Sequence, residues 1–466
     1  MKGNNTKSNF TIEMNMIKQL FYIGHFLLFF LLNISTYAKE PPNIILLFVD
    51  DWGWMDVGYR NNKYVTPNIN QLKEESMEFT RTYVSTPTCS PSRASILTGK
   101  EAVRMQMVRH IVHSNPDGSN DDKFSFWKKD PVQRPSINYL PLEEVTYAEA
   151  LKEYGYYNAF FGKWHLGHAP YHPIHQGFDE QNGTTNWGHP KSYYPPYFKS
   201  GFGEMKEGEF LTDNLTNQTT SFIKDYDKEQ PFMISLWYYG VHGPHVGKKE
   251  HLDLYKGLPK REQQYGAMVT AVDESVGQIR EALKLKGLDE NTIIILTSDQ
   301  GGFFSQAPLS GGKIGGNTLG EGGARVPMLI HTPDPSSHKK EIDTPVSTID
   351  IFPTLMEIAS QKKYKNTGIQ GVSLWSTING KKKIKDRNLY FMRSYEDQYA
   401  SVIQNDWKMV KYHSGKKTLF NIALDQSEKN DLYMVETKVA KELEEALLDW
   451  ENEVYSTWEK VDPPVN

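Results

Sequence analysis

The sequence predicts an α/β fold with a large, mixed but mostly parallel sheet flanked by helices, and a smaller C-terminal antiparallel sheet with one helix. Two uninterrupted apolar runs, 43–49 and 292–297, have the length of a strand and no polar alternation, which is typical of strands buried on both faces of a parallel sheet. An amphipathic helical pattern at 265–285 precedes the second run, as expected where helices connect parallel strands. After residue 385, short apolar segments recur at about ten-residue spacing, which indicates a small antiparallel sheet.

The remaining elements are predicted from local signals in chain order. Pro67 is suited to the first turn of a helix, and Gly155 and Gly287 are suited to follow helix C-termini. We therefore predict strand 43–49, helix 67–79, helix 145–154, strand 156–161, helix 215–226, strand 231–237, helix 265–285, strand 292–297, strand 328–330, helix 346–358, strands 389–391, 400–403, 407–410 and 418–421, and helix 438–455.

Composition excludes several classes of protein. The 466-residue chain is 38% hydrophobic and 23% charged, with a formal net charge of −5, which indicates a globular protein and argues against a nucleic-acid partner. Any anionic substrate must then meet a local group of cations. A single cysteine cannot form an internal disulfide.

The N-terminal segment resembles a secretory signal peptide, predicted over 1–38. Lys18 precedes an apolar run at 20–32, and the small residues Thr36 and Ala38 follow it. The apolar core of about 13 residues is short for a membrane span of about 20, although an uncleaved anchor helix is the alternative. We expect a periplasmic or secreted protein with no stable membrane span after cleavage.

The mature chain is long for one domain. We predict a large domain over 39–378 and an α+β subdomain over 379–466.

Oxygen-bearing side chains follow both buried strands. Asp50 and Asp51 come directly after 43–49, and Asp299 and Gln300 come directly after 292–297. Ligands bind at the carboxyl ends of strands in open α/β sheets, and adjacent carboxylates repel unless a cation neutralises them. Four hard oxygen ligands favour Ca²⁺ or Mg²⁺ over Zn²⁺.

The lone cysteine lies in the stretch Cys89-Ser90-Pro91-Ser92-Arg93, followed by Leu97-Thr98-Gly99. A buried cysteine that acts as a small hydrophobe is the ordinary interpretation. The polar neighbours, with Ser90 as a candidate N-cap and Pro91 in the first turn, instead place Cys89 at a helix N-terminus, where anions are favoured. A reactive or modified cysteine is therefore our preferred interpretation.

Further candidate residues follow the predicted strands. Lys163 and His165 come after strand 156–161 and lie on the same face of an extended segment. His242 and His245 come after strand 231–237, and either could supply a proton near neutral pH. His168, His172 and His175 lack the usual spacing of zinc ligands, so we prefer pocket or structural roles for them and place His175 among the substrate-binding candidates.

These motifs together resemble the type I sulfatases of the alkaline phosphatase superfamily. The resemblance rests on Cys-x-Pro-Ser-Arg with Leu-Thr-Gly, on Gly162-Lys163-Trp164-His165, on His242-Gly243-Pro244, and on Gly312-Lys313 before Glu321-Gly322-Gly323-Ala324-Arg325. It implies an alkaline-phosphatase-like fold, with 39–378 as the catalytic domain.

The resemblance also implies the chemistry. A formylglycine-generating or sulfatase-maturing enzyme would oxidise Cys89 to formylglycine, whose hydrate, a gem-diol, attacks the sulfate ester. The family roles implied for single residues are a Ca²⁺ site at Asp50, Asp51, Asp299, Gln300 and the residue-89 position, diol contacts at Arg93 and His165, sulfate contacts at Lys163 and Lys313, and proton donation by His242, with His245 as the near alternative. Gln300 departs from the Asn that is common at its position, and extra residues separate Lys313 from Glu321.

The expected substrate is a sulfated polysaccharide or oligosaccharide, since aromatic residues are frequent at 181–210 and can form a platform for sugar rings. A phosphonate or phosphate monoesterase of the same superfamily is one alternative. A non-catalytic protein that binds sulfated glycans is the other.

Overall fold

The computed structural model describes residues 41–463, except 116–117, 366–367 and 396 and the side chains of 394 and 395. The predicted signal peptide, 1–38, lies outside the described residues. Within the described part of the chain, every helix is too short or too polar to cross a bilayer.

The structure contains the following strands: β1 (Asn43–Val49), β2 (Ser76–Phe79), β3 (Thr82–Tyr83), β4 (Phe124–Ser125), β5 (Ser136–Ile137), β6 (Tyr157–Gly162), β7 (Glu180–Asn182), β8 (Phe232–Trp237), β9 (Thr292–Ser298), β10 (Arg325–Val326), β11 (Met328–His331), β12 (Lys340–Ile342), β13 (Val346–Ser347), β14 (Asn388–Tyr395), β15 (Gln398–Gln404), β16 (Trp407–Tyr412) and β17 (Lys417–Asn421).

The α-helices among the described residues are α1 (Pro67–Glu74), α2 (Cys89–Thr98), α3 (Tyr147–Lys152), α4 (Leu211–Asp225), α5 (Lys260–Lys286), α6 (Glu321–Ala324), α7 (Ile351–Ser360), α8 (Trp375–Ile378) and α9 (Thr437–Ser456).

Eight strands form the main sheet in the order β12-β2-β11-β9-β1-β8-β6-β7. From β9 to β7 all neighbouring strands are parallel, whereas β11 is antiparallel to both β9 and β2. The carboxyl ends of β9, β1, β8 and β6 therefore meet at one edge of the sheet. This confirms the predicted mixed, mostly parallel sheet.

Residues of β1 point alternately into two apolar layers. Ile44, Leu46 and Phe48 belong to a core cluster that includes residues of α2, α3 and α7. Ile45, Leu47 and Val49 belong to a second cluster with residues of α1, α4 and α5. Burial on both faces explains why this strand is apolar at every position.

The C-terminal part forms the predicted antiparallel sheet, with β14, β15, β16 and β17 in sequential order. Helix α9 packs on it through Leu443, Leu447 and Trp450, and the same cluster includes Val103 and Val108 from the main part of the chain. The division of the chain at residue 379 stays a prediction.

Two predicted helices were wrong in extent. The helix predicted over 67–79 ends at Glu74, and 76–79 is strand β2, which pairs with β11 and β12. Sheet pairing with partners more than 240 residues away overrides the local pattern here. The α-helix predicted over 346–358 starts only at Ile351, because Val346 and Ser347 form strand β13 and a 3₁₀ turn, Thr348–Asp350, follows it.

Gly162 lies where the end of β6 packs closely against the end of β8. It ends β6 with φ +99°, and a Cβ there would collide with the backbone carbonyl of Trp237. We expect Gly162→Ala to lower the free energy of unfolding by about 2–5 kcal/mol, because backbone strain and a backbone collision add. Urea unfolding followed by fluorescence measures this.

Gly155 supplies the matched control, since it has φ +80° but open space around the Cβ position. Gly155→Ala is expected to cost only about 1–2 kcal/mol from the left-handed backbone. Equal losses in the two variants would contradict the crowded edge.

Candidate active site

The ends of β1 and β9 bring the four predicted oxygen ligands together. The two strands are direct neighbours, with Val49 opposite Ser298, so Asp50 and Asp51 emerge beside Asp299 and Gln300. The backbone N–H of Asp51 donates to Asp299 Oδ1 at 3.0 Å. All four side chains are buried, and Asp51 has a left-handed backbone with φ +59°.

Cys89 is the first residue of α2 and lies directly against these groups. Its Sγ is 3.8 Å from Asp50 Oδ1 and accepts a 3.0 Å hydrogen bond from Gln300 Nε2. Burial, together with the nearby carboxylates of Asp50 and Asp299, outweighs Lys163 and raises the pKa of the thiol to about 11. The unmodified side chain is therefore a protonated thiol at neutral pH and a weak nucleophile.

The predicted cap of this helix was wrong. Thr88, not Ser90, is the N-cap residue, and Ser90 lies inside the helix, where its Oγ accepts from the backbone N–H of Ile111 at 3.0 Å. Ser90 thus stabilises the loop that follows α2 and does not cap the helix.

Three cations neutralise the three carboxylates. Arg93 donates to Asp299 Oδ2 from Nε at 3.1 Å and Nη2 at 2.9 Å, and its Nη1 donates to the carbonyl of Lys163 at 2.8 Å. Lys163 pairs with Asp50, and Lys313 pairs with Asp51. Burial and the neighbouring Asp50 still raise the pKa of Asp299 to about 6 against the effect of Arg93.

This donor set fits a hard divalent cation. Ligand atoms of Asp50, Cys89 and Asp299 lie within 4.8 Å of one another, as do those of Asp51, Cys89 and His242. Gln300 lies 2.8 Å from Asp51 Oδ1 through its amide nitrogen, and rotation of the amide would present its carbonyl oxygen instead. Carboxylate and amide oxygens are the ligands preferred by such ions.

Two predicted histidines face the same site. His165 is buried, has φ +57°, and its Nδ1 has no hydrogen-bond partner among the described residues. His242 Nε2 lies 3.7 Å from Asp51 Oδ2, and its Nδ1 is 2.7 Å from the carbonyl of Gly243. Burial, reinforced by Lys313, lowers the pKa of His242 well below its usual value.

The structure does not bring His245 or His175 to this site. His245 packs against Tyr265, Phe303 and Phe304, and its Nδ1 accepts from Arg261 at 3.2 Å. His175 is exposed at the end of a short 3₁₀ turn. Neither belongs to the lining of the cavity described next.

A cavity of about 850 Å³ opens above Cys89, His165, His242, Gln300 and Lys313. Its walls include residues that the sequence analysis did not single out, namely Arg109, His110, His113, Trp127, Trp187, His189, Lys191, Phe198, Lys199 and Arg393. The aromatic richness of 181–210 pointed to one of these walls. Nothing in the spacing of 108–113 pointed to the other.

Comparison with known proteins identifies the same family that the sequence motifs resemble, and the match covers most of the chain. The Sulfatase family model matches residues 42–362, and a second model, N-sulphoglucosamine sulphohydrolase, C-terminal, matches 318–453. N-acetylgalactosamine-6-sulfatase of Rattus norvegicus is 31% identical over 390 residues, which are 77% of this chain and 70% of that protein. A sulfatase of Formosa agariphila is 30% identical over 425 residues, covering 75% of this chain and 74% of that one.

Comparison with solved structures identifies the same family. The crystal structure of Ps i-CgsB in complex with k-i-k-neocarrahexaose has a TM-score of 0.76 and 32% identity, and the match covers 88% of this chain and 93% of that chain. The family match extends from β1 through the strand ends that hold the buried carboxylates, and the relatives share both sequence and fold. On these grounds the chain belongs to the sulfatase family, the sulfuric ester hydrolases of the alkaline-phosphatase-like fold.

Proposed function

We propose that the protein releases sulfate from a sulfated polysaccharide or oligosaccharide, and that it does so after Cys89 has been converted to formylglycine by a maturation enzyme. The observation that supports this most is the position of Cys89, at the floor of a large cavity and in contact with Asp50 and Gln300. A thiol with a raised pKa is poorly suited to act as the nucleophile itself, so modification gives this position a chemical purpose.

The residues around Cys89 then have distinct roles. One hydroxyl of hydrated formylglycine attacks the sulfur atom as the bond from sulfur to the leaving alcohol breaks. The second hydroxyl then re-forms the aldehyde, which releases sulfate and allows water to hydrate residue 89 again. Asp50, Asp51, Asp299 and Gln300 would hold a Ca²⁺ or Mg²⁺ beside residue 89, and that ion would supply positive charge at the floor of the cavity.

Lys163 and Lys313 bring two ammonium groups to the floor of the cavity, where charge develops on the sulfate oxygens. Arg93 is fixed by Asp299 and by the carbonyl of Lys163, so it orients residue 89 from below. His165 offers a ring nitrogen with no other described partner to a hydroxyl group at that position.

His242 is the proton donor in this proposal. Its Nδ1 is held by the Gly243 carbonyl, which leaves Nε2 facing the acidic floor. The negative charge of an arriving sulfate ester favours the imidazolium form and opposes the effect of burial. The leaving alcohol then takes the proton from Nε2.

A carbohydrate substrate is supported by the cavity and by the relatives. Trp127, Trp187 and Phe198 line a volume far larger than one sulfate group needs. The relatives carry names that refer to N-acetylgalactosamine 6-sulfate and to a neocarrahexaose complex. The predicted signal peptide supports a periplasmic or secreted location, where such glycans are met.

Conversion of Cys89 is directly measurable. Peptide mass spectrometry should show the peptide that contains residue 89 about 18 Da lighter than its thiol form. Cys89→Ala should release no sulfate from 4-nitrophenyl sulfate, because the nucleophile is lost, while its thermal unfolding midpoint stays near that of the wild type. Full activity with an unmodified thiol would refute the proposal.

Metal removal provides a second test. We expect chelation to abolish turnover and to lower the thermal midpoint, because three buried carboxylates lose a bound charge. Calcium titration should then restore both. Gln300→Leu should weaken calcium binding by about tenfold or more, whereas Gln300→Asn, which keeps the carbonyl ligand, should retain most of it. Unchanged activity after chelation would exclude the metal site.

The two histidines after β8 can be separated by the leaving group. His242→Ala should reduce kcat/KM for an alkyl or sugar sulfate by about 10²–10⁴, as expected for loss of a general acid. The loss should be much smaller with 4-nitrophenyl sulfate, whose phenolate leaves without a proton. His245→Ala is the matched control and should show no such dependence; the reverse pattern would reassign the acid to His245.

A further inference from the structure

The walls of the cavity have a charge opposite to that of the protein. Five of the lining residues are Lys or Arg, namely Arg109, Lys191, Lys199, Lys313 and Arg393, and none of the described lining residues is Asp or Glu. The whole chain, by contrast, has a formal net charge of −5. Positive charge is therefore concentrated at this cavity.

The floor of the cavity already contains the two lysines proposed to contact the scissile sulfate. Lys163 and Lys313 are paired with Asp50 and Asp51, and Arg93 is paired with Asp299. Of the five cations that line the cavity, Lys313 therefore belongs to the floor. The other four, Arg109, Lys191, Lys199 and Arg393, belong to the walls.

Arg109 is the buried member of the wall. It is 6% exposed, and its Nη1 and Nη2 donate to the neutral acceptors Arg134 O at 3.3 Å and Ser125 Oγ at 3.2 Å. Its Nε has no hydrogen-bond partner in the described structure. Burial, partly offset by Asp130, lowers the pKa of Arg109 only to about 10, so the guanidinium stays charged at neutral pH.

Several of these cations lie near enough to His110 to affect the pKa of its imidazole. Burial, together with the nearby charges of Arg109, Arg393 and Lys313, lowers its pKa to about 4. The imidazole is therefore neutral at pH 7. The arginines and lysines, rather than the histidines, give the wall its charge.

Lys191 and Lys199 extend the charge to the rim. Both are exposed and line the cavity, and neither forms an ion pair within the residues that the structure describes. The backbone N–H of Lys191 donates to the carbonyl of Tyr197 at 2.7 Å, which closes the loop and holds the two lysines on the same wall. Ammonium groups without acidic partners are suited to bind sulfate or carboxylate.

We propose that the cavity selects substrates with at least two anionic groups: the scissile sulfate at the floor, and a second sulfate or carboxylate of the same saccharide at the wall formed by Arg109, Lys191 and Lys199. This rests on the sulfate ester hydrolysis proposed above and specifies its substrate class as a polyanionic saccharide. The wall residues determine specificity and take no part in the reaction at sulfur.

Competition against 4-nitrophenyl sulfate tests the second subsite on the converted, calcium-loaded enzyme. The probes are galactose monosulfate, galactose disulfate and a monosulfated galacturonide. We expect the disulfate or the galacturonide to compete about tenfold better than the monosulfate, as one charge-assisted contact provides. Preference for one of them tells whether the second anion is a sulfate or a carboxylate.

Lys191→Gln/Lys199→Gln should reduce this preference to about twofold or less and leave kcat/KM for 4-nitrophenyl sulfate within about twofold of wild type. Arg109→Gln should also reduce it, although this buried change can disturb folding, which the exposed lysines avoid. Lys381→Gln/Lys383→Gln removes the same charge from exposed positions outside the cavity lining and should behave as wild type. Equal competition by all probes in the wild type would overturn the proposal.

Direct titration of the same probes into Cys89→Ala separates this proposal from the one it rests on. Tighter binding of the doubly charged probe, lost in the Lys191→Gln/Lys199→Gln background, supports the subsite even if no sulfate ester is turned over. Hydrolysis of 4-nitrophenyl sulfate without any such preference supports the sulfatase activity and overturns the second subsite.

Discussion

The structure depends on the burial of three carboxylates at one edge of a parallel sheet. Asp50, Asp51 and Asp299 have no exposed surface, and unpaired charges in such a place would be strongly destabilising. The fold supplies Arg93, Lys163 and Lys313 as partners. Because these cations come from α2, from the end of β6 and from a glycine-rich loop, neutralising the carboxylates also fixes the relative positions of those elements. Cys89 begins the same helix that presents Arg93, so its position follows from the same constraint.

The sequence was sufficient to predict this edge because the physics that forms it is local. A strand buried on both faces must be apolar at every position, and its end is marked by the first polar residue, as at Asp50 and Asp299. Parallel pairing then brings such ends together without further information. The residues after β6 and β8 follow the same rule. Lys163, His165 and His242, which the resemblance to sulfatase motifs also singles out, lie at the same edge. His175 was not supported by the structure because its selection rested on nearness in sequence alone.

The walls could not be predicted in the same way. Residues 108–113 and 187–199 belong to long connections with no periodic pattern. The Ser90 hydroxyl accepts a hydrogen bond from the N–H of Ile111, and the Gly118 carbonyl contacts the His113 ring. Such tertiary contacts position 108–113, and no local pattern announces them. The extent of α1 failed for a related reason. Whether 76–79 continues a helix or forms a strand is decided by β11 and β12, whose sequences lie far along the chain.

The floor and the walls of the cavity therefore differ in charge balance as well as in the parts of the chain that form them. The floor is balanced, with each acid matched by a base, so it can hold charge that develops during the reaction without attracting anions over a distance. At the walls, Lys191 and Lys199 are exposed and form no ion pair within the described residues, so they can attract anions into the cavity. Under the proposed roles, changes in the walls are expected to alter how well a glycan binds, and changes in the floor are expected to alter how fast its sulfate leaves.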